Sequence, residues 1–202
     1  NGEYVNPVFY VDANGDEQMA NNVTIVTSKT TTMGAAGQTK WYSVNGNVSI
    51  DSRIELAGTV NLILTDDCRL DANYGMHLPA GNTLNVFTQS TGSGRLGAWC
   101  EDNNAAVGGN GGDDENDGEN GGVINIYGGK IMCNGLMGGG NGKTKGTATI
   151  NLSWTNAEDV VFANPYNGTV TLLKDFTDQG GTSYAAGKVN DNVVINDQEL
   201  LS

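Results

Sequence analysis

The sequence predicts an all-β fold, a parallel β-helix in which three short strands and three turns make up one coil. Three observations carry that expectation. An apolar–Asn–apolar triplet returns along the chain, as Val60-Asn61-Leu62, Leu84-Asn85-Val86, Ile124-Asn125-Ile126 and Ile150-Asn151-Leu152. Weaker copies, Val48-Ser49-Ile50 and Val170-Thr171-Leu172, flank it, and the steps from Val48 are 12, 24, 40, 26 and 20 residues. Removing about 16 residues of a Gly/acid insertion brings the long step back to about 24, the size of a short solenoid repeat. Alternation at period 2 turns both apolar side chains to one face and the Asn to the other, so repeats can stack on a shared dry interior. Composition points the same way: 30 Gly and 16% charged residues, with Asn, Thr and Val abundant and helix formers scarce. Gly, Asn or Asp pairs such as Ala57-Gly58, Asp66-Asp67 and Gly81-Asn82 punctuate the short apolar runs. A β-sandwich is the main alternative, and antiparallel neighbours would distinguish it.

The 202 residues suffice for one domain with a sizeable core. No apolar run approaches the roughly 20 residues of a membrane-spanning helix. A formal charge of −13 argues against a nucleic-acid partner, which needs a basic surface. Three cysteines, Cys68, Cys100 and Cys133, are too few and odd in number for a disulfide scaffold. They read as buried thiols at inward strand positions. Four N-x-S/T triplets, at Asn22, Asn47, Asn151 and Asn167, follow from the Asn/Thr-rich composition. A signal peptide is expected to have been removed ahead of Asn1.

Residues 1–40 lie outside the repeat and read as an N-terminal β-hairpin cap plus linker. Val8–Val11 and Val23–Val26 form its strands, with the turn at Asn14-Gly15. Asp12, Asn14 and Asp16 have the first spacings of a calcium loop, but Glu17 replaces the required Gly and no Glu closes the loop, so a turn explains them better. The cap would cover the open end of the stack, and residues 27–40 would lead into it. The β-helix then occupies 41–202. Its Gly-rich acidic stretch at 101–122 reads as an exposed loop at a turn shared with Gly138–Gly142. The tail through Val189 and Val193-Val194-Ile195 reads as a C-terminal cap.

The run VNGNVSIDSRIELAGTVNLILTDDCRLDANYGMHLPAGNTLNVFTQ, with GGVINIYGGKIMCNG and SWTNAEDVVFANPYNGTVTL, resembles the Gly-rich parallel β-helix surface proteins of anaerobic, often gut-dwelling bacteria. These have a right-handed pectin-lyase-like fold. The likeness spans about three quarters of the chain, with one clean GG-x-[IV]-x-[IV]-x-GG copy at 121–129. It implies a secreted or cell-surface location and a binding or adhesive role, with no catalytic residues to carry over.

Two groups of residues bear on ligands. Arg69, Arg95 and Lys130 recur at matching points of successive coils. Stacked in register they would form an outward ladder about 4.8 Å apart, suited to the carboxylates of a uronate or sialic acid chain. Neutralisation of neighbouring acids, as of Asp67 and Asp71 by Arg69, is the plainer explanation. Trp99 and Tyr127 are candidate sugar-stacking platforms, although core or end packing claims most such aromatics. Asp113, Asp114, Glu115, Asp117 and Glu119 place five carboxylates within seven residues, enough oxygens for an optional calcium ion, or simply a solvated loop. The central Asn residues would form an amide ladder.

Catalysis has little support: His77 is the sole histidine, with no zinc cluster and no nucleophile elbow. The expectation is therefore a non-catalytic module that needs no cofactor and binds carbohydrate or a host or neighbouring-cell surface. A polysaccharide-active β-helix lyase or glycosidase, or a passive spacer, are the alternatives.

Overall fold

The computed structural model describes residues 3–154, 156, 159–162, 166–177 and 180–189. All secondary structure among them is β, and no helix is long and apolar enough to cross a membrane. Parallel strands dominate and form a nearly closed, barrel-like arrangement around one core. Neighbours along each stack run parallel, which removes the sandwich alternative.

Three stacks can be followed. In the first, the Asn triplets stand side by side without slippage: Asn61 is opposite Asn85, then Asn125, Asn151 and Thr171. The second contains Asn47–Ile50, Arg69–Ala72, Arg95–Trp99, Lys130–Asn134 and Val160–Phe162. The third begins at Ile54–Glu55, the start of the long strand Ile54–Leu64, and continues through Met76–His77, Val107–Gly108, Met137–Gly138 and Tyr166–Asn167. The chain visits the stacks in the same cyclic order on each pass.

The reason is the alternation already visible in the sequence. Val60, Leu84, Ile124, Ile150 and Val170 form one inward row, with Leu70, Leu96, Ile131 and Val161 in another, and all are buried. Each such side chain contributes about 1.5–3 kcal/mol of burial, and a one-residue slip would turn a whole row to solvent. Cys133 lies inward in the row of Ile50, Ala72 and Ala98, and Cys68 is also buried. All three thiols are free. Burial pushes the Cys68 thiol up to about 11 and the Cys133 thiol further up.

Outside this core the Asn side chains form the expected ladder. Asn85 Nδ2 donates to Asn61 Oδ1 at 2.7 Å, Asn125 to Asn85 at 2.7 Å and Asn151 to Asn125 at 2.8 Å. Asn125→Ala removes a donor and an acceptor in mid-chain. At roughly 0.5–1.5 kcal/mol per net hydrogen bond, a loss of about 1–2 kcal/mol in urea unfolding is expected, with an unchanged denaturant slope.

The N-terminal segment differs from its sequence reading in three ways. Val8–Val11 does turn at Asn14-Gly15, but its partner is Glu17–Ala20. Val23–Ile25 instead pairs parallel with Thr32–Val44, and its other edge is covered by Tyr4–Val5. The presumed linker is therefore largely strand: Thr32–Val44 lies along Ile54–Leu64, with a bulge between Gly34 and Thr39. Finally, the hairpin is not placed over the open end. It packs on the outer face of the first stack, where Val8, Tyr10 and Ala20 cover Ile63 and Phe87 beside Trp41 and Tyr127. Asp12 fixes its turn by accepting the N–H groups of Asn14 and Asp16 at 2.9 and 3.0 Å. Those hydrogen bonds hold its carboxyl below the usual range.

At the other end, Gly187–Val189 pairs antiparallel with Thr169–Leu172 and covers that edge. The proposed capping strand at Val193–Ile195 lies outside the described residues.

The Gly-rich stretch is packed rather than projecting. Gly109 N–H donates to Gly138, Gly112 to Asn141 and Gly118 to Thr144, while Gly140 N–H returns to Glu119. Backbones approach so closely that a Cβ on Gly140 would lie 1.9 Å from the Asn110 carbonyl oxygen. The glycines serve close contact between adjacent turns. The acidic tip, residues 113–117, is exposed throughout.

Candidate functional site: a basic row beside a folded tryptophan

Arg69, Arg95 and Lys130 are direct cross-strand neighbours in the second stack. Leu70, Leu96 and Ile131 next to them are buried, so alternation turns the cations outward, about 4.8 Å apart from strand to strand. Arg69 Nε donates to Asp71 Oδ1 at 2.9 Å, which is the neutralisation weighed from the sequence. Arg95 has neither an ion pair nor a side-chain hydrogen bond among the described residues.

Gly97 stands in the next outward row, between Asp71 and Met132. The indole of Trp99 folds back over it. A Cβ at position 97 would lie 2.2 Å from Trp99 Cη2, 2.6 Å from Cζ3 and 3.1 Å from Asp71 Oδ1. The absent side chain thus makes a notch that seats the ring beside the cations. Arg69, Asp71, Arg95, Trp99, Lys130 and Met132 line one small surface pocket. A guanidinium without an internal partner can take a carboxylate through two N–H groups, and a flat ring can accept the apolar face of a sugar.

Tyr127 does not join this group. It stacks on Phe87 at a centroid distance of 4.9 Å, within the cluster under the hairpin, and burial raises its hydroxyl pKa. Alternation explains the separation: Tyr127 follows the first-stack strand Val123–Ile126, whereas the cations belong to the second. Trp154 packs into the core against Phe176.

Of the acidic residues 113–119, Asp113 and Asp117 border one open pocket with Asp102, and Glu119 lies apart from it. Asp113 Oδ1 accepts the N–H groups of Glu115 and Asn116, which lower its pKa. Asp117 Oδ1 accepts the Thr144 N–H at 3.0 Å. Glu119 leaves the tip altogether and pairs with His77. Asp114 and Glu115 remain at the exposed tip. No group of three His, Cys, Asp or Glu side chains among the described residues has a metal-binding arrangement.

Two other polar centres were not evident from spacing. Arg53 donates to Asn110 Oδ1 at 2.9 Å and to the carbonyls of Tyr74 and Ala105 at 3.0 Å each, tying three successive turns together. His77 lies between Glu55 and Glu119. The former pair was readable in principle, because Glu55 and His77 stand opposite one another in the third stack. No family model, curated protein or solved structure matches the chain.

Proposed function

We infer that this chain is a right-handed parallel β-helix of the pectin-lyase-like kind, secreted or displayed on a cell surface. It acts there as a non-catalytic binding or adhesion module for carbohydrate. The observation supporting this reading is the Arg69–Arg95–Lys130 row with Trp99 folded over Gly97 beside it. A chain of charge −13 has little reason to align three cations for solubility. The same charge repels acidic glycans at long range, but beyond about 8 Å physiological salt screens most of that repulsion. Contacts at the row itself then decide. The ligand class is an anionic saccharide, its carboxylate on Arg95 and a ring face on Trp99.

A glycan array that includes polygalacturonate and sialylated oligosaccharides tests this reading. Arg95→Ala is expected to weaken binding of the best acidic ligand about 10–100-fold, since a charge-assisted contact is worth roughly 1.5–3 kcal/mol. Gly97→Val, which must displace the indole, is expected to weaken binding while leaving Arg95 in place. Absence of binding to every sugar, with calcium present, would retire the proposal.

A further inference from the structure

We propose that His77 is a proton-operated clasp that fastens the Gly-rich segment 109–122 to the third stack. Its ring is 14% exposed and has a carboxylate on each nitrogen: Glu55 Oε2 lies 2.5 Å from Nδ1 and Glu119 Oε2 2.8 Å from Nε2. An ionised carboxylate only accepts, and a neutral imidazole carries a single N–H. Both contacts are hydrogen bonds only when the ring is the imidazolium ion. Next to His77 on its other side stands Gly108, the residue before the segment.

A second partner is already in position for the neutral ring. Asn110 Nδ2 lies 3.2 Å from His77 Nε2. Its orientation is fixed, because Asn110 Oδ1 accepts from Arg53 Nε at 2.9 Å. While Nε2 carries a proton, that amide faces another donor. Once the proton leaves, Nε2 offers a lone pair to Asn110, Nδ1–H stays on Glu55, and the carboxylate of Glu119 faces a lone pair and is repelled. The two protonation states thus select different neighbours within the same shell.

The charged groups around the ring are Glu55 on its own stack, Glu119 on the segment and Arg53 beyond Asn110, with the Cys100 thiol next to Arg53. Burial pushes the Cys100 thiol up and keeps it neutral. For Glu119, partial burial acts upward, but the Asn110 N–H, His77 and Arg53 outweigh it and leave the carboxyl below its ordinary range. The sign follows from linkage. The clasped state holds the imidazole proton and the open state does not, so rising pH opens the clasp. Falling pH opens it only after Glu119 is protonated, below the usual glutamate range. Glu119 also accepts the Asn110 N–H at 3.0 Å, and its backbone links Asn110 to Gly140. Its release therefore loosens the layered turns.

The chain has one histidine, so its ring nitrogens can be followed without assignment ambiguity. Nitrogen-detected NMR across a pH titration should show an imidazolium at the acid end and the Nδ1–H tautomer at the alkaline end. The Asn110 backbone N–H, which Glu119 accepts, should respond in the same pH range and lose exchange protection as the ring deprotonates. In Glu119→Gln the Asn110 backbone N–H should no longer follow the ring. Glu55→Gln should leave the coupling between the ring and Asn110 intact. An Nε2–H tautomer at the alkaline end, or an Asn110 backbone N–H indifferent to the ring in the unaltered chain, would overturn the clasp.

Discussion

Gly108→Ala is expected to be the most damaging single-methyl change in the protein, at about 3–5 kcal/mol. Two effects coincide there. The residue has φ +138, a conformation that L side chains rarely adopt, and its Cβ would lie 1.8 Å from the Gly138 carbonyl oxygen on the next strand. Neither can give way, because the Cβ is fixed directly to one strand's backbone and the oxygen belongs to its neighbour in the same ladder. Gly81→Ala separates the two effects, since Gly81 has φ +85 with nothing within 4 Å of the added Cβ. That variant should lose only the conformational part, roughly 1–2 kcal/mol. Urea unfolding of both decides the matter. Equal losses would mean that the close approach of the Gly-rich turns contributes nothing to stability.

How much of this was legible in the sequence depended on whether the core or a surface enforced it. Val60-Asn61-Leu62 and its relatives announced their own register, because each inward apolar pair must land on the pair below it. The outward Asn ladder and the row Arg69–Arg95–Lys130 followed from that phase. Packing on the outer face was not legible. Glu17-Gln18-Met19-Ala20 has no β-branched alternation to mark it as the hairpin partner. Its strand is held by hydrogen bonds at Asp12 and by Val8, Tyr10 and Ala20 packing over Phe87. Val23-Thr24-Ile25, the stronger strand by composition, was claimed by Thr32–Val44 instead. Tyr127 was misplaced for the same reason: an outward aromatic could serve a ligand or a covering hairpin, and period 2 does not distinguish them. The Gly/acid insertion misled in another way. Its composition suits a mobile loop, but glycine also permits backbone to lie on backbone, and Glu119 found its partner 42 residues away.

Arg53 illustrates how a lone charge outside the repeat can organise it. Its guanidinium satisfies Asn110 Oδ1 and the carbonyls of Tyr74 and Ala105, so it joins the turn after Asn47–Ile50 to the two turns stacked above it. Burial lowers its pKa, with Glu55 and Glu119 acting in the opposite direction, and an arginine remains charged throughout the working pH range. Arg53→Met keeps most of the aliphatic stem and removes all three hydrogen bonds. Hydrogen bonds to a charged donor are worth roughly 1.5–3 kcal/mol each, but partial solvent access returns part of that, so about 2–4 kcal/mol is expected overall. Arg53→Lys tests whether charge or geometry matters. A single ammonium on a flexible stem cannot reach three acceptors in a plane, so the lysine variant should recover less than half of the loss. If lysine restored full stability, the residue would be acting as a point charge beside Glu55 and Glu119, not as a planar fork. Freed from Arg53, the Asn110 amide could also flip. The His77 ring would then lose its waiting donor, and the Nδ1–H preference at high pH should weaken in Arg53→Met.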